Sequence, residues 1–296
     1  MTRKGIILAG GTGTRLYPIS LSISKHLLPV YDKPMVYYPL SVLMLANIRD
    51  ILVISTPQDL PLYKRLLGSG NQWGINFSYA EQSKPDGIAQ ALLIGEDFIN
   101  GQSCALVLGD NIIYGQSLVE QLRIANQREE GGTIFVYRVK NPGEYGVAVL
   151  DEANRPLNLV EKPKQHISNW AITGLYFYDS RVTDIVRQLE PSTRGELEIT
   201  DVNLAYLEMD ALHVNTLGRG IAWLDGGTPE SLLQANLFVE TMQQRQGLKI
   251  ACPEEIAYRQ GFINISQFEQ IAKSLEKSSY GKYLLELIEN KEIELA

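Results

Sequence analysis

"ILAGGTGTRLYP", residues 7–18, decides how this chain is read. A short apolar run passes straight into a loop with glycine at 10, 11 and 13 and arginine at 15. That pattern predicts a buried strand followed by a loop whose backbone N–H groups can approach an anion. Arg15 then offers a permanently charged fork suited to phosphate oxygens. The familiar phosphate loops do not match. A dinucleotide fingerprint started at Gly11 needs glycine where Leu16 stands, and no Gly-Lys-Ser/Thr follows to close a P-loop.

Outward from the loop, apolar runs alternate with amphipathic stretches. "GIILA" (5–9), "DILVIS" (50–55), "NFSYAE" (76–81) and "CALVLGD" (104–110) read as buried strands. Residues 34–48, 59–70 and 87–99 carry apolar side chains at helical spacing. The alternation predicts an α/β fold with a doubly wound, mostly parallel, Rossmann-like sheet. After residue 130, "GTIFVYRV", "YGVAVLDE", "PLNLVEKP" and "WAITGLYFYD" follow with little helix between them, which predicts antiparallel additions. Helices are expected at "RVTDIVRQL", at "GELEITDVNLAYLEM" and at 228–247, which opens on Thr-Pro-Glu. The tail reads as helical. No repeat or low-complexity linker divides the chain. Residues 1–240 are expected to form the main domain, with the later strands inserted in it, and 241–296 a helical C-terminal extension.

The 296 residues carry a formal charge of −7, which argues against nucleic acid or a membrane surface as partner. Local positive charge can still hold a small anion. Cys104 and Cys252 stand outside any CxxC pair, so free thiols and a reducing compartment are expected. "IILA" is too short for a signal peptide, and no run reaches membrane-spanning length. The expected location is cytoplasmic.

The glycine loop continues as "RLYPISLSISKHLLPVYDKPMVYYPL" (15–40). Then come "QSKPDGIAQA" (82–91), "VLGDNIIYG" (107–115), "GEYGVAVLD" (143–151), "LVEKP" (159–163), "RGELEITDVN" (194–203) and "WLDGGTPESL" (223–232). In this order, over nearly the whole chain, they resemble the sugar-phosphate nucleotidyltransferases, most closely the bacterial thymidylyl-transferring branch. The resemblance implies Mg²⁺-dependent transfer of dTMP from dTTP to glucose 1-phosphate, giving dTDP-glucose and pyrophosphate. That reaction opens dTDP-deoxysugar synthesis for surface polysaccharide. A UTP-dependent uridylyltransferase is the alternative within the family. The chemistry agrees with the residue types. A phosphate monoester, with a second pKa of about 6, is already mostly dianionic at neutral pH, so the nucleophile needs no general base. Catalysis then rests on positioning and on charge stabilisation.

The resemblance assigns roles residue by residue. Arg15 and Lys25 hold the triphosphate and the departing pyrophosphate, and Lys162 holds the sugar phosphate. Gly10, Gly11, Gly13 and Thr14 form the nucleotide loop, while Gln82 and Gly87 read the pyrimidine edge. Asn111, Gly146, Glu161 and Ile172 contact the sugar, and Arg194 assists at its phosphate. Asp110 and Asp225 hold Mg²⁺, each expected at the carboxyl end of a strand, where doubly wound folds place ligands. Tyr114, Gly115, Arg219, Glu255 and Arg259 form a second site for a dTDP-sugar feedback inhibitor in a homotetramer. Three departures stand out. His26 replaces glutamine and is expected to line the nucleotide site. Ser83 and Lys84 replace proline and serine. Gly226 replaces threonine, which predicts a looser loop behind Asp225.

Overall fold

The computed structural model describes residues 3–290. In chain order it holds β1 (Lys4–Leu8), a hairpin of β2 (Pro29–Val30) and β3 (Lys33–Pro34), α1 (Tyr37–Leu45), β4 (Asp50–Ser55), α2 (Leu60–Leu67) and β5 (Asn76–Glu81). Next come α3 (Gln90–Ile94), α4 (Glu96–Ile99), β6 (Cys104–Leu108), β7 (Asn111–Gly115), α5 (Leu118–Gln127) and β8 (Gly132–Arg138). They are followed by β9 (Gly146–Leu150), β10 (Pro156–Glu161), β11 (Trp170–Tyr178), α6 (Val182–Arg187), α7 (Ile199–Glu208), β12 (Leu212–Leu217) and β13 (Ile221–Asp225). The chain closes with α8 (Pro229–Gln246), α9 (Pro253–Arg259), α10 (Ile265–Ser274) and α11 (Ser279–Glu289).

Strands β6, β1, β4 and β5 run parallel in that spatial order. The near-continuous apolar runs of β6, β1 and β4 are buried because helices cover both faces. The edge strand β5, expected to be buried, has Asn76, Ser78 and Glu81 exposed and its other residues only half-buried, because only one side of it is paired. One buried cluster gathers Ile7, Val53 and Val107 with α1 and the C-terminal helices, and a second gathers Ile6, Leu52 and Leu106 with α3, α6 and α7. Beyond β6 the sheet turns antiparallel through β11, β9 and β10, while β8 pairs with β11 and carries β12. The α/β class with antiparallel additions is therefore the one observed. Leu8 lies level with Ile54 and Leu108, so the loops after β1, β4 and β6 open on one edge.

Some boundaries differ from the sequence reading. The 87–99 helix divides at Gly95, glycine being a poor helix former. The helix in "GELEITDVNLAYLEM" starts only at Ile199. Residue 240 falls inside α8, so the expected boundary cuts a continuous helix. Helices α9–α11 also share the core of the main sheet: Ala257, Phe268 and Leu284 join the cluster of Ile7, and Trp73 Nε1 donates to the buried Glu254 carboxylate at 3.1 Å. Cys104 and Cys252 are buried free thiols. Among the described residues no helix is long and apolar enough to cross a membrane.

Candidate active site

Two aspartates meet through a ribbon outside the main sheet. The chain leaves β6 at Leu108, turns over Gly109 and Asp110, and enters β7, which pairs antiparallel with β13. Asp225 stands opposite Asn111 in that register, and the Gly226 N–H donates to the Asp110 carbonyl at 3.1 Å. Asp225 is the last residue of β13, a strand end as expected, although β13 pairs antiparallel with β7; Asp110 stands two residues past the carboxyl end of β6, which runs parallel to β1. An immediate turn takes the chain out of the sheet, and an antiparallel partner returns to it. A Cβ at Gly226 would stand 2.3 Å from Met35 Cε, so the bare glycine lets the loop lie close on Met35.

Asp110 Oδ2 accepts from the Lys25 ammonium and Oδ1 from Asn111 Nδ2 at 3.0 Å. Burial by itself would raise the Asp110 pKa. The Lys25 ammonium and the two hydrogen bonds override it and hold the carboxyl well below the usual carboxylate range. Asp225 Oδ2 accepts from the Tyr145 hydroxyl at 2.8 Å and Oδ1 from the Gly227 N–H at 3.1 Å. Burial and the neighbouring Asp225 raise the Tyr145 phenol, which keeps it a donor. Among the described residues no three His, Cys, Asp or Glu side chains form a metal-holding group. Two carboxylates suit a hard cation that takes its remaining oxygens from phosphate and water.

A cavity of about 460 Å³ opens beside this pair. Arg15, Lys162, Asn111, Gly146, Glu161 and Ile172 all line it with both aspartates. Arg15 is largely exposed and stands 3.5 Å from the Glu144 carboxylate, a pairing worth little in water. Lys162 has φ 42°, a left-handed backbone that non-glycine residues rarely adopt, and its N–H donates to the Tyr145 carbonyl at 3.1 Å. Glu161 Oε2 accepts from Thr200 Oγ1 at 2.6 Å. Arg194 is arranged differently. Its Nη2 donates to both Glu198 oxygens at 2.8 Å and lies 3.3 Å from Glu161 and 3.4 Å from Glu196, outside the cavity lining.

A smaller cavity of about 190 Å³ adjoins the first through Ile88 and is lined by Gly10, Gly11, Gln82 and Gly87. Gly13 and Thr14 stand outside both. The Gly13 carbonyl accepts from Ser20 Oγ at 2.7 Å, and Thr14 opens the turn that carries Arg15. His26 does not line the nucleotide site as expected. It is 2% exposed, with Nδ1 3.2 Å from Ser24 Oγ, which in turn is 2.9 Å from the Tyr63 hydroxyl. Burial first, then the Lys25 ammonium, push its pKa down to about 3, so the ring is neutral. Leu28 and Val30 beside it in the chain are buried as well, while Pro29 between them is exposed.

Tyr114, Gly115 and Arg219 line a separate cavity of about 650 Å³. Glu255 and Arg259 do not line it. They pair with each other on α9 at 2.8 Å, and Tyr283 donates to Glu255 at 2.6 Å. Sequence reasoning missed Tyr145, Thr200 and Trp223, which all line the cavity of about 460 Å³ beside the two aspartates. Trp223 Nε1 donates to Asn111 Oδ1 at 2.6 Å, where the Gly174 N–H also donates at 3.0 Å. Aromatic residues in strand-like segments and a threonine in a helical one look like core, so only their adjacency to Gly146 and Asp225 could have marked Tyr145 and Trp223.

The nucleotidyl transferase family model matches residues 4–242. Glucose-1-phosphate thymidylyltransferase of Xanthomonas campestris pv. campestris is 58% identical over 285 residues, covering 96% of this chain and 97% of that protein. The enzyme of the same name from Mycolicibacterium smegmatis is 55% identical over 286 residues, covering 97% and 99%. A solved Bacillus anthracis chain in complex with a sucrose is 41% identical with a TM-score of 0.74, covering 80% of this chain and 95% of that one. A UDP-glucose pyrophosphorylase solved with UDP-glucose has a TM-score of 0.70 over 82% of this chain and all of its own at 22% identity, a likeness of fold.

Proposed function

The chain belongs to the nucleotidyl transferase family, and we propose that it transfers dTMP from dTTP to glucose 1-phosphate, releasing pyrophosphate. The observation that carries this reading is the adjoining pair of cavities. The larger holds cations and carboxylates for two phosphates and a sugar, and the smaller holds a glycine floor and one amide for a base.

In this reading a phosphate oxygen of glucose 1-phosphate attacks Pα of dTTP, a new P–O bond forms, and the bond from Pα to the β-phosphate breaks. Lys162 orients the attacking phosphate. Arg15 exchanges its weak contact with Glu144 for the leaving pyrophosphate. Lys25, held by Asp110, meets the triphosphate. Glu161, fixed by Thr200, accepts from sugar hydroxyls above Gly146, beside Asn111 and Ile172. Asp110 and Asp225 would hold Mg²⁺, which when bound neutralises charge shared by the two phosphate groups. No side chain need take a proton from the nucleophile.

The reading extends to a homotetramer, cytoplasmic and feeding surface-polysaccharide synthesis, that is inhibited by a downstream dTDP-sugar. The cavity of Tyr114, Gly115 and Arg219 supports such a second site, with Glu255 and Arg259 supplied by a neighbouring copy. The test is pyrophosphate release from dTTP, glucose 1-phosphate and Mg²⁺, with UTP and dUTP in parallel. Release that requires all three components is expected. Turnover with UTP but none with dTTP would overturn the reading.

A further inference from the structure

Behind Gln82 in the smaller cavity runs a hydrogen-bond chain through Gln90 to Asp86, two residues to which the proposed reaction gives no role. Asp86 is exposed, and a carboxylate can only accept. Gln90 Nε2 donates to Asp86 Oδ2 at 3.1 Å, which turns the Gln90 oxygen the other way. That oxygen accepts from Gln82 Nε2 at 2.7 Å. The Gly87 carbonyl, 3.5 Å from the same nitrogen, is a further acceptor behind it. The Gln82 amide therefore has its NH₂ turned inward and its oxygen turned toward Gly10. A Cβ on Gly10 would stand 2.4 Å from Gln82 Oε1, so the bare glycine leaves the oxygen room at the cavity floor. Gln82 is 5% exposed, and among the described residues no donor reaches its oxygen.

An amide oxygen that is reached only from a cavity and has no protein donor is one that a ligand entering the cavity can complete. We infer that Asp86 and Gln90 are positioning residues that hold the Gln82 oxygen toward the base, so that the site selects bases with a ring N–H, thymine and uracil, over cytosine. At the corresponding ring position cytosine presents a lone pair, which would face the fixed oxygen. The direction is set at Asp86, the one member of the chain that has no donor to offer. Without Asp86, Gln90 could turn either way, and only the long 3.5 Å contact with the Gly87 carbonyl would hold Gln82. This inference rests on the thymidylyl-transfer reading and says how that reaction chooses its base.

The experiment measures kcat/KM for dTTP, dUTP and dCTP with glucose 1-phosphate, in the full chain and three variants. Wild type is expected to use dTTP and dUTP well ahead of dCTP. If it does not use dTTP, the proposed reaction itself fails, whatever the variants do. Asp86→Lys puts a donor where the acceptor was, which turns Gln90 and frees Gln82. The dTTP-to-dCTP ratio is then expected to fall about tenfold, while the dTTP-to-dUTP ratio holds, since both bases carry the ring N–H. Gln90→Leu should reproduce the fall, and Asp86→Glu should keep the wild-type ratio. A role in stability alone would lower all three nucleotides together and leave the ratio unmoved. Asp86 is exposed and carries little packing, so its variants test the idea even if Gln90→Leu folds poorly. A dTTP-to-dCTP ratio within about twofold of wild type in Asp86→Lys overturns the inference.

Discussion

Changing each aspartate to asparagine is the same chemical step, yet the structure assigns the two variants different outcomes. Asp110 and Lys25 form a close pair with side chains only 14% and 16% exposed. Asp110→Asn leaves the ammonium facing a neutral amide in a mostly buried place. Removing one partner of a buried pair costs about 3–5 kcal/mol, and the residual exposure puts this case near 3 kcal/mol. At about 2–4 °C per kcal/mol for chains of this order of size, the melting temperature should drop by about 6–12 °C. Asn at 225 still accepts from the Gly227 N–H, and its NH₂ can donate to the Tyr145 hydroxyl, so melting should shift by no more than about 2 °C. Turnover should fall at least about 100-fold in both, the scale of losing a key electrostatic contact. Calorimetric melting and pyrophosphate release at saturating Mg²⁺ read the two effects separately. Equal melting temperatures for the variants would refute the buried-pair argument, and near-normal turnover in either would remove that residue from the site. The Asp110 carboxyl is held low, so its contribution is present above the ordinary carboxylate pKa of about 4 and fades as pH falls below it. The stability gap between wild type and Asp110→Asn should therefore narrow in acid.

The His26 pKa is pushed down to about 3, so the unfolded chain takes up a proton near pH 6.5 that the folded chain refuses. His26→Gln should flatten the loss of stability between about pH 6.5 and 3 in urea titrations; an unchanged slope would show that the ring is not buried neutral. Tyr145→Phe removes the 2.8 Å bond to Asp225 and should lower kcat/KM about tenfold with little change in melting. Equal turnover in the two proteins would mean that Asp225 needs no such support. Burying the thymine methyl contributes only about 0.8 kcal/mol, so dUTP should serve with about fourfold lower efficiency, and a completely inert dUTP would contradict this account of base recognition.

Much of the fold is legible in the chain. Apolar runs such as "DILVIS" and "CALVL" announce buried strands because parallel strands covered on both faces have no polar side to show. The amphipathic stretches between them announce helices for the same reason in another period. Helix ends were less legible. Gly95 divides one expected helix and Glu198 delays the start of another, effects of single residues that a periodic pattern averages over. The missed residues Tyr145, Thr200 and Trp223 have types that serve equally well as packing, and nothing local separates the two uses.

By itself, then, the sequence determined the strand-and-helix alternation, the glycine loop after the first strand and the stock of charged side chains available for phosphate chemistry. Each of these depends on neighbours along the chain: a side chain's solvation preference, the period of a helix or strand, the backbone freedom of glycine. The tertiary structure alone decided which of those side chains meet. The pairing of β7 with β13 brings Asp225 beside Asp110, and Ile112 and Leu224 of that ribbon pack against Met35, Tyr38, Ala235 and Val239, which come from segments far away along the chain. Arg194 and Lys162 look alike in sequence as cations beside glutamates, yet Arg194 is tied to Glu198 while Lys162 lines the cavity, because one helix start and one strand end aim them apart. The direction of the Gln82 amide belongs to the same class. An amide has two nearly equal orientations, and only the groups folded around it, Gln90 and behind it Asp86, make one of them lower in energy.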